Sequence, residues 1–229
     1  MLTTSTRGEP IGPQTPTMDF ERSELATYQL VGGMDEVGRG ALAGPVCVGV
    51  VCVGATTGAP PPGLRDSKDL TAPRRQALVP AIVAWAERYA LGWAGPREVD
   101  QHGVVGALHL AGQRALAALP TAPPRLVLDG AHDWLTPKVD LFTDDAGPWH
   151  TSVVSLVKAD QKCASVAAAS VLAKVARDKL MTELDAAYPP YCFAANKGYG
   201  SAVHRQAIAQ IGLCPAHRAS WALLKTENP

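Results

Sequence analysis

The sequence predicts an α/β domain in which a mixed β-sheet is flanked by helices. Three observations support this fold class. Short apolar runs rich in β-branched residues, which are typical of buried strands, come first in the chain. Similar runs then alternate with segments of helical periodicity. The chain has 229 residues, of which 47% are hydrophobic and 18% charged, and this balance allows one substantial core without a second domain.

The N-terminal part of the chain predicts a leader followed by two strands. Residues 1–27 are rich in Thr, Pro, Gly and Ser, so we expect a mobile leader in front of a single domain at 28–229. The segment 28–34 predicts a short strand that runs into a polar turn. The apolar run 45–53 predicts a buried strand, and the Gly- and Pro-rich stretch 54–63 predicts a loop.

The middle of the chain alternates between helix and strand. Pro73 suits the first turn of a helix, because an N–H at that position would have no helical partner. We expect a strand at 90–94, a helix at 97–118 and strands at 125–129 and 152–157. This alternation indicates helices packed on the faces of the sheet.

The C-terminal part is predicted to be helical. Apolar residues recur every four positions from 164 to 184 and would line one stripe of a long helix. Pro189-Pro190 ends that helix, and a last helix is expected near 201–211.

Composition excludes several classes of function. The chain has 21 basic and 21 acidic residues, which excludes a protein that coats nucleic acid through bulk positive charge. A nucleic-acid enzyme with a local basic surface is compatible with this balance. Five cysteines without CxxC spacing predict reduced thiols rather than disulfides or a zinc site. No signal segment and no run of ~20 apolar residues is evident, so we expect a cytoplasmic protein. A monomer is expected because no self-association stripe is visible.

Acidic residues follow three predicted strands: Asp35-Glu36, Asp129 and Asp160. Ligands of α/β sheets bind beyond the carboxyl ends of strands, and acids gathered there repel one another unless cations neutralise them. Oxygen ligands suit Mg²⁺ or Mn²⁺, and two such ions ~4 Å apart would support phosphodiester cleavage. Each acid by itself is equally compatible with an ordinary turn at a strand end.

The adjacent pair Asp35 and Glu36 poses a stereochemical problem. Neighbouring side chains on a strand point to opposite faces, so both cannot reach one metal ion without a local twist. Glu36 is therefore expected to act through its backbone carbonyl, a second ion or a water molecule, and the sequence leaves these alternatives open.

Several motifs resemble those of ribonuclease HII. The segment 33–40 together with 43–46 is similar to the opening motif of that family, and 217–221 is similar to its closing motif. Between them, in the family's order, stand Asp66-Ser67-Lys68-Asp69-Leu70-Thr71, Leu128-Asp129-Gly130, Lys158-Ala159-Asp160-Gln161-Lys162, 167–178 and Lys197-Gly198-Tyr199-Gly200. The resemblance covers about 30–221.

The resemblance implies a ribonuclease H-like fold with a C-terminal helical portion, and a metal-dependent endonuclease. Such an enzyme cuts RNA in RNA–DNA hybrids and nicks 5′ to ribonucleotides in duplex DNA, leaving 5′-phosphate and 3′-hydroxyl ends during ribonucleotide removal and primer degradation. The four catalytic, metal-binding acids of the family, which hold Mg²⁺ or Mn²⁺, correspond to Asp35, Glu36, Asp129 and Asp160. The site would hold two ions.

The resemblance also implies nucleic-acid contacts. Gly38-Arg39-Gly40 would read the ribose 2′-hydroxyl, since glycine lets the backbone approach the sugar closely. Tyr199 would stack on the neighbouring sugar, and Ser67, Lys68 and Lys174 would contact phosphates. By contrast, a structural ion pair or helix cap is expected for Arg177-Asp178.

The chain departs from the family pattern in two places. Asp69 stands where a second lysine is common, and the stretch between Asp129 and Asp160 is long. The acids of that stretch are interpreted as exposed loop residues rather than ligands: Asp133, Asp140, Asp144 and Asp145. None of the six histidines has ligand spacing, and none is predicted to be catalytic.

Two alternatives stand beside this interpretation. Ribonuclease HIII is similar at several motifs but generally lacks Gly-Arg-Gly and carries an additional N-terminal domain, for which about 28 residues before the first strand are too few. The other is a catalytically silent hybrid-binding module, against which the four intact acids argue. The sequence does not identify a replication-clamp partner.

Overall fold

A mixed five-stranded sheet forms the centre of the protein. The computed structural model describes residues 15–137, 150–221 and 223. Within these residues the strand order is β3-β2-β1-β4-β5, with antiparallel pairs on the β3 side of β1 and parallel pairs on the β5 side. The strands are β1 (Leu30–Val37), β2 (Val46–Gly54), β3 (Arg88–Ala94), β4 (Arg125–Asp129) and β5 (Ser152–Leu156). The predicted fold class is therefore confirmed.

Helices cover both faces of the sheet. They are α1 (Asp19–Leu25), α2 (Ala72–Trp85), α3 (Pro96–Ala117), α4 (Ala159–Lys162), α5 (Ala164–Ala187), α6 (Phe193–Asn196) and α7 (Ala202–Ile211). One core lies between the sheet and α3, and a second lies between the sheet and α5 with α2. No helix in the described ranges is long and apolar enough to cross a membrane.

The strand β2 is buried along its whole length. Val48 and Val50 belong to the core under α3, whereas Val51 and Val53 belong to the core under α5. Because the side chains of a strand alternate between faces, a strand covered on both sides must be apolar at every position. This explains the unbroken β-branched run that predicted the strand.

The first half of α5 is buried all round rather than along the predicted single stripe. Residues 164–173 are all buried, and they are mostly Ala, Ser and Val. Their small side chains let the helix lie very close to β1 and β2: a Cβ at Gly33 would overlap Ser165, and one at Gly49 would overlap the backbone of Ala169. This close approach brings the side chains of α5 up to the edge of the sheet where β1 ends.

The predicted leader is wrong from residue 15 onward. Thr17 forms a bridge with Cys163, and α1 packs on the sheet, whereas residues 1–14 lie outside the described part. Glu21 is fully buried in α1, where its Oε1 accepts hydrogen bonds from the N–H (2.8 Å) and the hydroxyl (2.7 Å) of Ser165. Burial raises the pKa of Glu21. A seven-residue helix held by such a tertiary contact has too little periodicity to be predicted.

The C-terminal portion packs around aromatic rings beside the end of α5. Met181, Tyr191, Phe193 and Ile208 form its core, with two buried histidines among them. The rings of Tyr191 and Phe193 stack 5.5 Å apart. This portion lies against residues 42–44, which follow the end of β1.

Candidate active site

Acidic side chains come together at one edge of the sheet. Asp35 and Glu36 lie near the end of β1, and Asp129 ends β4, which is the parallel neighbour of β1. Asp160 lies in α4, just beyond β5 on the other side of β4. Because parallel strands end at the same edge, the four acids predicted from the sequence are neighbours there.

The expectation that every acid ends a strand is correct for Asp129 but wrong for the others. Asp35 and Glu36 lie inside β1, whose pairing with β2 extends beyond them. Asp160 lies in α4, after a tight turn in which Lys158 adopts a left-handed conformation with φ 59°. That turn sends the chain back toward the sheet, so Asp160 reaches the site from a helix.

Asp35 and Glu36 point to different sides of β1. Asp35 accepts a hydrogen bond from the N–H of Glu36 at 2.8 Å, and its carboxyl lies on the α5 side, where Ser170 acts to lower its pKa. Glu36 instead lines a cleft of about 900 Å³ on the α3 side, together with Arg39 and Asp129. Asp129 borders both carboxylates. The alternation of side chains along a strand therefore spreads the acids around Asp129 rather than gathering them on one side.

The acids repel one another. Burial raises the pKa of Asp35 well above its ordinary value, and the negative charges of Glu36 and Asp129 add to this. Burial also raises the pKa of Glu36, against the opposing effect of Arg39. Burial and the carboxylates of Asp66 and Asp129 raise the pKa of Asp160 to about 6. A cation placed among these groups would relieve this cost.

Asp66 joins the site from a short turn ahead of α2. The Lys68 ammonium bridges Asp66 at 2.5 Å and Asp160 at 2.6 Å. Although burial acts in the other direction, hydrogen bonds with Asp160 and Lys68 lower the pKa of Asp66. The Ser170 hydroxyl donates to Asp66 Oδ1 (3.0 Å) and contacts the hydroxyl of Ser67 (2.8 Å). The predicted residues Ser67 and Lys68 thus lie directly beside the acids.

The turn after β1 presents an exposed backbone next to the acids. Gly38 has φ +87°, and a Cβ there would overlap the side chain of Arg177, so glycine is required. Gly40 is exposed with open space around it. Arg39 extends outward and reaches Glu36 at 3.4 Å. The buried Arg218 donates hydrogen bonds to the carbonyl oxygens of Gly38 (2.6 Å) and Arg39 (2.9 Å).

Tyr199 lies beside this turn. The N–H of Leu42 donates to the carbonyl of Gly198 at 2.8 Å, which ties the two segments together. The Tyr199 ring is partly exposed and lies 5.7 Å from Lys174 Nζ and 5.4 Å from the Arg177 guanidinium. Tyr199 and Lys174, predicted separately as sugar and phosphate contacts, are therefore neighbours.

The family model described as Ribonuclease HII matches residues 32–224. The chain belongs to the ribonuclease HII family. It is similar to the ribonuclease HII of Streptomyces avermitilis, with 47% identity over 213 residues that cover 92% of this chain and 85% of that protein.

Solved structures show the same fold. Ribonuclease H2 from Pyrococcus horikoshii OT3 aligns with a TM-score of 0.64 and 24% identity over 85% of this chain and 94% of that one. Bst-RNase HIII in complex with Mn²⁺ aligns with a TM-score of 0.62 and 19% identity, over 86% of this chain and 68% of that one. The predicted ribonuclease H-like fold is thereby confirmed. As a ribonuclease HII family member, the protein is a ribonuclease H endonuclease, a hydrolase of RNA–DNA hybrids.

The donor set fits a hard divalent cation. Asp160 Oδ1 is buried without a hydrogen-bond partner, although it belongs to a carboxylate in an acidic cluster. The charged oxygens around it belong to carboxylates, which Mg²⁺ and Mn²⁺ prefer. As they stand in the described part of the chain, no three or more acid, histidine or cysteine side chains are arranged so that they could hold a metal ion. The Lys68 ammonium lies between two of the carboxylates.

Sequence reasoning missed three residues of the site: Asp66, Ser170 and Arg218. Asp66 and Ser170 stand inside motifs quoted for the family resemblance, so an acid immediately before Ser67 was an available signal. Arg177 and Asp178 have structural roles, as expected, but they do not pair with each other. Arg177 is buried and donates to the carbonyls of Ala43, Pro45 and Lys197, whereas Asp178 pairs with Lys174 at 2.7 Å.

Proposed function

We propose that the protein cuts the RNA strand of RNA–DNA hybrids and nicks duplex DNA on the 5′ side of an embedded ribonucleotide. The products would carry 5′-phosphate and 3′-hydroxyl ends, and the cellular role would be ribonucleotide removal and degradation of primer RNA. The observation that carries this proposal is a cluster of buried and half-buried acids directly beside the turn 38–40, in which Arg39 and Gly40 are exposed. The site of cleavage would thus lie next to the site that recognises the sugar.

Asp35, Glu36, Asp129 and Asp160 would hold two Mg²⁺ or Mn²⁺ ions. When bound, such ions activate water and stabilise the leaving oxygen of a phosphodiester. The acids of this chain supply the negative charge that attracts the ions. Burial, with repulsion between neighbouring carboxylates, raises the pKa values of Asp35, Glu36 and Asp160, and this shows the cost of keeping them charged without a cation. Because Asp35 and Glu36 face different sides of β1, we propose that they serve different ions, with Asp129 between them.

The turn 38–40 together with Tyr199 would recognise the ribonucleotide, and we call these residues the ribose-reading surface. The 2′-hydroxyl distinguishes RNA from DNA and can both donate and accept a hydrogen bond. The Gly38-Arg39-Gly40 backbone can approach a sugar closely, because neither glycine carries a side chain and Gly40 is open to solvent. The Tyr199 ring offers an apolar surface against which a sugar can pack.

Ser67, Lys68 and Lys174 would contact the phosphates. The side chain of Lys68 is 62% exposed, so its ammonium can reach a phosphate as well as Asp66 and Asp160. Lys174 lies under the Tyr199 ring and would bind the phosphate next to the stacked sugar. We further propose that the protein acts as a monomer in the cytoplasm.

A nicking assay tests this proposal. A duplex with one ribonucleotide is incubated with the protein and Mg²⁺ or Mn²⁺, beside an all-DNA duplex of the same sequence. We expect a single nick 5′ to the ribonucleotide in at least one metal and no cleavage of the all-DNA control. Binding without a nick in either metal would contradict the proposal and support a silent hybrid-binding module.

Arg39→Ala separates recognition of the ribonucleotide from binding of the duplex. The variant should weaken the preference for a ribonucleotide more than it weakens affinity for the all-DNA duplex. Kinetics on the first substrate and fluorescence anisotropy on the second give the comparison. An unchanged preference would show that Arg39 has no part in recognition.

A further inference from the structure

The segment 214–218 lies between the two halves of the ribose-reading surface. It pairs with the chain just after the turn: the N–H of Gly44 donates to Ala216 O (2.8 Å), and the N–H of Arg218 donates to Leu42 O (3.0 Å). Two side chains of this segment, His217 and Arg218, are buried. Each is directed toward a different half of the ribose-reading surface.

Arg218 holds the turn 38–40 through carbonyl oxygens. Its guanidinium donates to Gly38 O (2.6 Å), Arg39 O (2.9 Å) and Gly44 O (3.1 Å), and it lies 4.9 Å from the Trp221 ring centroid. Burial lowers the pKa of Arg218 to about 10, which still leaves the group charged near neutral pH. A planar donor that joins the carbonyls of Gly38 and Arg39 to that of Gly44 fixes their relative orientation.

His217 reaches Tyr199 through His204. The Nε2 atoms of the two histidines are 3.0 Å apart, and His204 Nδ1 lies 2.8 Å from Tyr199 O. Since a carbonyl only accepts, His204 Nδ1 carries a proton and its Nε2 accepts from His217. His217 Nδ1 is then free to accept the Cys214 N–H at 3.0 Å. One consistent chain of neutral imidazoles thus runs from Cys214 to the Tyr199 carbonyl.

Packing alone does not explain these three polar side chains. Tyr191, Phe193 and Ile208 already form an apolar core around them. Burying a guanidinium and two imidazoles is costly, and apolar side chains of similar volume would often be as stable. Both polar chains end on carbonyl oxygens of the ribose-reading surface.

We propose that His217 and Arg218 are positioning residues for recognition of the ribonucleotide, Arg218 by orienting the turn 38–40 and His217 by holding Tyr199 through His204. This inference rests on the proposed function. It predicts that altering either residue lowers cleavage at a ribonucleotide while duplex binding, which depends on the lysines, is maintained.

The test uses Arg218→Lys, which keeps the charge but loses the planar fork, and His217→Phe, which keeps the ring but loses both hydrogen bonds. We expect kcat/KM on the one-ribonucleotide duplex to fall roughly tenfold to a hundredfold, because small misplacements at a reacting site have effects of that size. The Kd for the all-DNA duplex should change less than about twofold. His217→Gln, which can still donate to His204, should recover part of the loss.

Glu21→Ala is the matched control for stability. It removes a fully buried side chain that accepts two hydrogen bonds from Ser165, at the start of α5. We expect its Tm to fall. The ratio between kcat/KM on the ribonucleotide duplex and the affinity for the all-DNA duplex should stay equal to that of the wild type. Variants of His217 and Arg218 should change that ratio at a comparable loss of Tm.

The outcomes separate this inference from the proposed function. If the wild type nicks the ribonucleotide duplex but Arg218→Lys and His217→Phe keep the wild-type ratio, the positioning roles are wrong and the proposed function stands. If the wild type does not nick in either metal, the proposed function is wrong and the recognition role is overturned with it. Equal losses of cleavage and DNA affinity would also overturn the positioning roles.

Discussion

Two buried polar clusters lie side by side in this protein and satisfy their polar atoms in opposite ways. The acid cluster comprises Asp35, Glu36, Asp66, Asp129 and Asp160. It contains a buried carboxylate oxygen without a hydrogen-bond partner, on Asp160, and the pKa values of Asp35, Glu36 and Asp160 are raised, mainly by burial. The arginine–histidine cluster comprises Arg177, His204, His217 and Arg218. Its guanidinium and imidazole groups end on backbone carbonyls or on one another.

The difference teaches which cluster is complete without a ligand. Buried charges are tolerated when their hydrogen bonds are made, and the two arginines meet this condition through carbonyl oxygens of the chain. The acids meet it only in part. Lys68, Ser170 and the N–H of Ala159 donate to them, but Asp160 Oδ1 has no partner although other carboxylates lie close by. We therefore expect the acid cluster to attract cations, whereas the arginine–histidine cluster is complete by itself.

The largest expected effect is on cleavage, through Asp35→Asn. Losing this carboxylate should reduce nicking by at least about a thousandfold, because a metal ligand is lost. The metal-free variant should nevertheless be at least as stable as the wild type, since a neutral amide removes both the buried charge and the repulsion that raise the pKa of Asp35. Nicking kinetics and thermal unfolding in EDTA measure the two quantities. Glu183→Gln, on the exposed surface of α5, is the control. A strongly destabilised Asp35→Asn would contradict the view of the acid cluster as electrostatically strained.

Arg177→Leu tests the other cluster. It leaves the carbonyls of Ala43, Pro45 and Lys197 without their donor, and we expect a loss of about 3 kcal/mol or more in the free energy of unfolding. Arg114→Ala, which breaks an exposed pair with Glu98, should cost no more than about 1 kcal/mol. Urea denaturation compares the two variants. Similar losses would show that the buried arginine contributes no more than a surface ion pair.

Divalent cations should stabilise the wild type but not a chain with a weakened acid cluster. At a hundred times the Kd, Mg²⁺ or Mn²⁺ should add about 2.7 kcal/mol to the free energy of unfolding. Asp160→Asn should lose most of this gain, while His217→Phe should keep it, because its cluster binds no cation. Thermal unfolding with and without EDTA gives the shift in Tm. Equal shifts in both variants would place the cation elsewhere.

The smallest effect is a pH dependence of opposite sign in the two clusters. Burial lowers the pKa of His204 and His217 from about 6.5, with the charge of Arg205 adding to this for His204. The unfolded chain then binds protons more readily, so stability falls as the pH falls below 6.5. Two Nε2–H groups would also face each other, and the neighbouring Cys214 and Tyr191 offer no carboxylate to compensate.

The acids act in the other direction. Because the folded pKa of Asp160 is raised to about 6, folding favours its protonated form, and metal-free stability rises as the pH falls toward and below that value. Unfolding free energies from pH 5 to pH 8 in EDTA, compared among the wild type, Asp160→Asn and His217→Phe, separate the two contributions. The slope of unfolding free energy against pH should be more negative in His217→Phe than in the wild type, and less negative in Asp160→Asn. Identical pH profiles in all three proteins would contradict the opposite pH dependence of the two clusters.

Local patterns of the sequence were sufficient for the sheet and for four acids. The unbroken β-branched run of β2 predicts a strand buried on both faces, and a period of four residues predicts α5, because burial and helical geometry act on residues close in the chain. Asp35, Glu36, Asp129 and Asp160 could be named because each follows or ends an apolar run, and the family motifs agree with them.

Tertiary structure alone decided which residues meet. The contacts of Glu21 with Ser165, Asp66 with Ser170, Arg218 with the turn 38–40 and His204 with His217 join parts of the chain that no local period connects. Small side chains on α5 and glycines on the strands allow this close packing, but neither feature specifies a partner. The sequence by itself therefore determined the fold class and pointed to four acids, which lie at one edge of the sheet. Packing of distant segments decided the geometry around them, because hydrogen bonds between such segments form only once the whole core is assembled.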